Sequence, residues 1–373
     1  MSRKIIHILC PCWIWLLLLL FSSCSQEEAE EQVLPDSMVN LRIQAVIPGM
    51  ETKAEDIPER EEITNLRIIV VDKDTREVEY NALSPFSRPK SSYDIPVTKD
   101  GTKWVYLLGN AESISSLNLK DIRTGRTWNE ELLDNFVFED LGSPIPFTSK
   151  RYEVYVKDTD VNLECHIAIA AIKFTFNFKN NTQQDLVINS YSISSIATKS
   201  YLLPHLSNDE AWNDWIDFMT NLPEDGVNMD EYITDYEVPD VLGGEEDFHQ
   251  PAVNERDFEL KVKAKAKETT TYGPIYLHES YYTDPFKSKA DEQVYTITFG
   301  MGPEGGPSMD YTAEIKGLKS LIRSTHVILN VNVNKLDDGS STSAIWAEIK
   351  IWGKECVEGS WEEVEDDQAT SKD

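Results

Sequence analysis

The chain has 373 residues, enough for two ordinary domains with cores of their own. Its formal charge is −30, and setting aside Arg3 and Lys4 of the N-terminal segment leaves 33 basic residues against 65 acidic ones, or −32. That balance argues against nucleic acid and anionic lipid surfaces as partners, and it suits a protein that must stay soluble outside the cell.

Arg3 and Lys4 precede an apolar run, Ile5 to Phe21, which is followed by Ser22, Ser23 and Cys24. A positive start, an apolar middle and small residues make an export signal over 1–23. Cys24 directly after the small residues resembles a bacterial lipobox, in which the cysteine sulfur carries a diacylglycerol; Phe21 stands where an aliphatic residue is usual. An ordinary secretory signal and an uncleaved membrane helix are the alternatives. The run sits at the short edge of the roughly 20 apolar residues a span needs. Residues 24–37, acidic from Glu27 to Glu31, read as a solvated tether.

Val39, Leu41, Ile43, Ala45 and Ile47 then alternate with polar residues, the period of a half-buried strand, and Pro48-Gly49 ends it. Met50 to Glu62 is a charged linker in which Lys53 and Arg60 are expected to be exposed. Ile63 to Val71 is a second strand, followed by turn residues and a returning strand at Arg76 to Tyr80. Lys103 to Asn110 is a further strand, and 111–135 reads as more helical. Strands are expected over Ser149 to Val156 and Val161 to Phe178, with Ile172, Phe174, Phe176 and Phe178 on one face. The polar run Lys157 to Asp160 marks a boundary between an N-terminal domain, 38–158, and a C-terminal domain, 159–373.

The second domain continues with the strand Leu186 to Ile196. Ser207 to Leu222 is a helix with a Ser207-x-x-Glu210 capping box and with Trp212, Trp215, Ile216 and Met219 at helical spacing; Pro223 stops it. The helix and the acidic stretch after it form an insertion over 207–257. Strands follow at Phe258 to Ala266, Tyr272 to His278, Gln293 to Phe299, His326 to Val333 and Ala344 to Trp352, before a charged tail. Many short strands with turns between them predict a mainly β, sandwich-type architecture with few helices.

No catalytic constellation stands out. The histidines lack metal-ligand spacing, and Gly-x-Ser-x-Gly, Walker and dinucleotide glycine patterns are absent. Gly300-Met301-Gly302 reads as a turn. Asp225, Asn228, Asp230 and Glu231 lack the order of a calcium loop. No metal, no cofactor and no enzyme activity is expected. Trp212 and Trp215 read as core packing, with a sugar platform as the alternative. Cys165 and Cys356 read as two buried thiols, with a disulfide left open.

The terminal strands carry a mechanical reading. If the first strand were cut away, an apolar groove with unpaired backbone would demand a replacement. The last strand offers one, with Ile345, Ala347, Ile349 and Ile351 alternating with Trp346, Glu348, Lys350 and Trp352.

The order of these segments resembles the fimbrillin superfamily of Bacteroidales, subunits and anchors of type V pili. The resemblance rests on Cys24, on Val39 to Val71, on Lys103 to Asn110 and on Pro144 to Phe147. Tyr201 to Pro204, Ile275 to Ser280 and Arg323 to Val331 continue it. It implies two tandem transthyretin-like β-sandwich domains, export as an outer-membrane lipoprotein displayed at the cell surface, and assembly with other fimbrial subunits. It also implies a trypsin-like protease that removes the first strand, here at Lys53 or Arg60, and a donor strand from another subunit. A membrane-retained pilus anchor and a glycan-binding surface lipoprotein are the other readings.

Overall fold

The computed structural model describes residues 34–49, 57–193, 196–197, 199–204, 209–221, 252–255, 262–279, 295–315, 318, 321–335 and 343–351. The chain is mainly β. In order the strands are β1 (Met38–Val46), β2 (Asn65–Asp72), β3 (Val78–Pro85), β4 (Lys90–Thr98), β5 (Gly101–Gly109), β6 (Val137–Phe138), β7 (Phe147–Thr148), β8 (Tyr152–Val156), β9 (Val161–His166) and β10 (Ala168–Ile169). They continue with β11 (Ile172–Asn180), β12 (Leu186–Ile193), β13 (Ser200–Tyr201), β14 (Ala252–Glu255), β15 (Val262–Ala264), β16 (Thr269–Leu277), β17 (Thr296–Pro303), β18 (Met309–Glu314), β19 (Thr325–Val333) and β20 (Ser343–Ile351). One α-helix, α1 (Asp209–Asn221), lies between β13 and β14.

Four larger sheets result. Two are built from the first ten strands, in the orders β4-β1-β9 and β10-β7-β5-β2-β3, with β8 also on β5. Two are built from later strands, in the orders β16-β11-β19-β20 and β14-β12-β17-β18, with β15 also on β12. The sequence boundary at 158/159 differs from the point where strands change partners. β9 pairs with β1 and β10 with β7, so the change falls between Ile169 and Ile172. The polar run at 157–160 is only the turn between β8 and β9.

The two halves repeat a pattern. β1 lies between an antiparallel neighbour, β4, and a parallel one, β9. β11 lies likewise between antiparallel β16 and parallel β19. The alternation that predicts both central strands is realised. Leu41, Ile43 and Ala45 are fully buried, Val39 and Ile47 nearly so, and Ile172, Phe174, Phe176 and Phe178 are buried on one face of β11. Phe176 and Phe178 meet Phe299 of β17 edge-on, with ring centroids 5.9 and 5.1 Å apart, which packs one late sheet on the other as a sandwich.

Two expectations are corrected. Residues 111–135 form short 3₁₀ turns at Ala111–Ser113, Leu119–Asp121 and Glu130–Leu132 rather than an α-helix. Their apolar side chains are still buried: Leu117, Leu119, Trp128 and Leu133 join the core, and Trp128 packs 5.0 Å from Tyr106 of β5. Gly300 to Gly302 belong to β17, and the turn lies after Pro303. Side chains are excluded at both glycines: a Cβ on Gly300 would meet Ser190 Oγ at 2.2 Å, and one on Gly302 would meet the Pro307 carbonyl at 2.1 Å. β4 and β18 lie where no strand is expected from the sequence.

Candidate functional site

β1 is the element around which a site can be built. Its backbone is paired along one side with β4, from Met38↔Thr98 to Val46↔Lys90, and along the other with β9, from Leu41↔Val161 to Val46↔His166. Its inward side chains are aliphatic, and the fully buried Leu41 and Ile43 each contribute about 1.5–3 kcal/mol relative to exposure. Its outward side chains are weakly held: Arg42 meets Asp94 at 2.7 Å, and both are more than half exposed. Such a pair contributes little. Burial and backbone pairing therefore hold β1, and taking it out would leave two unpaired strand edges facing an apolar slot.

Both walls take their strand pairing from β1, but each also has a contact of its own at one end. At the end of β4, Thr98 accepts a hydrogen bond from the fully buried Lys103 ammonium of β5 at 2.7 Å. The same ammonium meets Asp72 Oδ2 at 2.7 Å and Glu79 Oε1 at 2.8 Å, so its charge is neutralised where it is buried. Burial opposes ionisation of Asp72, but hydrogen bonds from Lys103 and Thr75 outweigh it and hold its carboxyl below the ordinary range. On the other wall, the His166 amide at the end of β9 donates to the Tyr152 hydroxyl at 2.7 Å. Trp212 Nε1 donates to the same oxygen at 3.0 Å, and the Trp212 and Trp215 rings stack with centroids 4.7 Å apart. Both tryptophans are at most 2 % exposed. They brace β8 from α1 and are not placed as open sugar platforms.

β1 leaves its sheet at Pro48-Gly49, where Gly49 takes a φ of 70°. Lys53, Cys24, the tether up to residue 33, Asp225 to Glu231, Ser207 and Cys356 lie outside the described residues. The far end of the linker is anchored. Glu59–Glu61 form one 3₁₀ turn, and Glu61 is 4 % exposed. Glu61 Oε1 pairs with Lys173 of β11 at 2.7 Å and accepts from the Tyr276 hydroxyl of β16 at 2.8 Å. Burial, then the neighbouring Glu61 carboxylate, push the Tyr276 phenol up.

Arg60, expected to be exposed, is half-buried. Its guanidinium lies 4.7 Å from the Tyr276 ring centroid, Nε donates to the Gly142 carbonyl at 3.3 Å, and its own carbonyl accepts from the Ile145 amide at 2.8 Å. A protease needs an extended peptide, so cutting at Arg60 requires this turn to open first.

Two further buried polar groups join early strands to late ones, and sequence reading gave neither a role. Arg323 is fully buried just before β19; its Nε and Nη2 donate to Glu279 Oε2 at 2.8 and 2.6 Å. Nη1 donates to Thr148 Oγ1 of β7 and to the Leu202 carbonyl, both at 3.1 Å. His278 shares a hydrogen bond with Ser200 Oγ through Nδ1 and sits 2.9 Å from the Glu139 carbonyl through Nε2. A proton on Nε2 satisfies that carbonyl, and burial keeps the ring's pKa below the ordinary value.

The expected donor residues Ile345, Ala347, Ile349 and Ile351 lie on β20. It is an edge strand paired antiparallel to β19, from Thr325↔Ile351 to Val333↔Ser343. Cys165 is a free, fully buried thiol on β9, opposite Ala45 of β1, and burial pushes its pKa up. Among the described residues, no group of three or more His, Cys, Asp and Glu is placed to hold a metal ion, and no helix is long and apolar enough to cross a membrane.

The strand that completes the site, β4, went unread. Tyr93, Ile95 and Val97 alternate with Asp94, Pro96 and Thr98, a period-two signal that Pro96 and the serines obscure. Proline is tolerated because, among the described residues, β4 is an edge strand paired with β1 alone.

No protein-family model and no curated protein matches the chain in sequence. Among solved structures, the tip fimbrial protein Mfa3 of Porphyromonas gingivalis, truncated at its C-terminus, is similar with a TM-score of 0.46 and 10% identity, over 84% of this chain and 100% of that one. A fimbrial assembly protein of Parabacteroides distasonis gives 0.40 and 10% over 84% and 95%. The fimbrilin FimA of Porphyromonas gingivalis gives 0.46 and 10% over 84% and 97%. At these scores the likeness is one of outline.

Proposed function

We propose that the chain is a structural subunit of a cell-surface fimbria, exported as a lipoprotein on Cys24 to the outer membrane and assembled by strand exchange. The observation that carries this reading is β1 itself: a buried central strand, joined to the body at one end, between walls held by contacts of their own. A trypsin-like protease acting in the linker releases β1, and a strand of another subunit fills the slot. Of the two basic residues, Arg60 is the less favoured choice on this reading, because its guanidinium is held on Tyr276. Brief trypsin treatment of the mature chain should give a new N-terminus near Lys53 and detergent-resistant ladders. Trimmed chains that remain monomeric at every concentration would rule out polymerisation.

A membrane-retained pilus anchor is the second reading. It draws support from β20, which is already paired in its own sheet and so is not a free donor. Mass spectrometry of protein from cells separates the two: an intact lipidated Cys24 marks an anchor, and a start beyond Met50 marks a polymerised subunit. Glycan capture finds no support at Trp212 and Trp215, which are buried.

A further inference from the structure

We propose that the cleft between the start of β3 and the turn at residues 123–126 binds a carboxylated sugar, with Arg123 and Arg126 holding the carboxylate. The cleft shares no residue with the β1 slot or with the buried tryptophans of α1. The proposal therefore stands whether or not β1 is exchanged.

Two cations stand apart in a chain whose formal charge is −30. Among the described residues, Arg42, Arg67, Arg76, Arg151 and Arg323 pair with carboxylates. Arg60 and Arg88 donate to the carbonyls of Gly142 and Glu61. Arg123 and Arg126 are exposed, and among the described residues they have neither an ion pair nor a side-chain hydrogen bond. Their backbone is nevertheless fixed. The Arg126 amide donates to the Arg123 carbonyl at 3.2 Å, closing a turn in which Gly125 takes a φ of 75°. The turn is bolted to β3: the Gly125 amide donates to the Val78 carbonyl at 2.8 Å, and the Val78 amide to the Arg126 carbonyl at 2.9 Å. The Trp128 amide donates to the Arg76 carbonyl at 2.6 Å. Two like charges are thus carried on the two ends of one tight turn, and a bound anion relieves their repulsion.

The rest of the cleft says what that anion is attached to. Its volume is about 250 Å³, room for a single sugar ring. Its wall is apolar, with Val78 and Trp128 buried and Ile122 and Leu132 half-buried, and it suits the C–H face of a pyranose. Its rim is polar, with Asn118, Asp121 and Asn129 exposed. An arginine fork matches a planar carboxylate with paired hydrogen bonds. The two asparagine amides donate and accept, which fits hydroxyl groups. Asp121 narrows the class further: it accepts from sugar hydroxyls but repels a polyanion, such as a run of sulfates or of acidic side chains. An acidic peptide would also leave the two asparagines without hydroxyl partners.

Calorimetric titration tests this on the mature chain carrying Cys24→Ser, with its linker uncut. The probes are sialyllactose, digalacturonate, lactose and a polysulfated disaccharide; the first two tell a nine-carbon acidic sugar from a hexuronate. One of those two should bind with a Kd of about 1 mM or tighter, and lactose at least about tenfold more weakly. Arg123→Gln and Arg126→Gln should each weaken the carboxylated sugar at least about tenfold. Lys157→Gln, an exposed cation on the turn between β8 and β9, should leave its affinity unchanged. Both arginines are exposed, so the urea midpoints of their variants should match the parent, and lost binding is then lost contact. Lactose binding as tightly as the acidic sugars would overturn the proposal, and so would equal binding of the polysulfated sugar. Affinity retained in both arginine variants, or lost equally in Lys157→Gln, would overturn it too. So would no binding of either carboxylated sugar at about 10 mM. Trimmed chains that stay monomeric yet bind the sugar would end the polymer reading and leave this one standing.

Discussion

β1 and β11 hold the same position in their sheets, each between an antiparallel and a parallel neighbour, yet they differ in how they are held. β11 is wired at both ends: Ala170 and Ala171 bond to Pro146 and Ser324, and Asn180 bonds to Glu268 and Lys267. Its inward residues are large rings that touch Tyr191, Tyr272 and Phe299. β1 has end bonds of the same kind, from the Ile47 amide to Pro89, from the Ile167 amide to Val46 and from the Lys99 amide to Ser37, but its inward residues are aliphatic. Equal topology thus coexists with unequal inward packing. A strand becomes replaceable when its hold lies in generic burial and backbone pairing, which another strand of the same pattern can reproduce.

The sharpest way to break that comparison is mutation on each strand. Phe176→Ala on β11 should cost about 3–5 kcal/mol, and Ile43→Ala on β1 about 2–4 kcal/mol, by urea unfolding of the uncut chain. The contrast should appear after the linker is cut. Ile43→Ala should then speed exchange of β1 against added peptide, whereas Phe176→Ala should leave the exchange rate unchanged once the fold is populated. Arg323→Ala, which strands Glu279 without its buried partner, should cost about 3–5 kcal/mol without opening the β1 slot.

A smaller effect concerns pH. His278 is buried with a lowered pKa, so the unfolded chain takes up a proton before the folded one. Stability should therefore be full above the ordinary histidine value of 6.5 and decline as pH falls through it toward the folded value. His278→Gln should flatten that slope between pH 7 and 5 in a urea-midpoint series. Smallest of all, Arg42→Ala should leave the urea midpoint unchanged, because its pair with Asp94 is exposed.

Much of this was legible in sequence where one strand's own pattern sufficed. Val39 to Ile47 and Ile172 to Phe178 alternate cleanly, and Trp212, Trp215 and Met219 recur at helical spacing, so burial followed from period alone. What was hidden depends on partners distant in sequence. Arg60 looked like a linker charge because nothing near it announces Tyr276 or Gly142. β9 looked like part of the next domain because its pairing with β1 joins residues more than a hundred positions apart. The apolar residues of 111–135 indicated burial correctly, but a run of 3₁₀ turns buries side chains without helical period.

The central claim is that the slot survives the loss of β1 and accepts another strand. Thiol labelling of Cys165 tests it most directly, in a mature chain whose other cysteines are serine. Cys165 should be unreactive in the intact chain, reactive once the linker is cut and β1 washed away in mild urea, and protected again when a 343–353 peptide is added. A Cys165 that stays protected after β1 has gone would show that β4 and β9 close on each other, and would contradict strand exchange at this site.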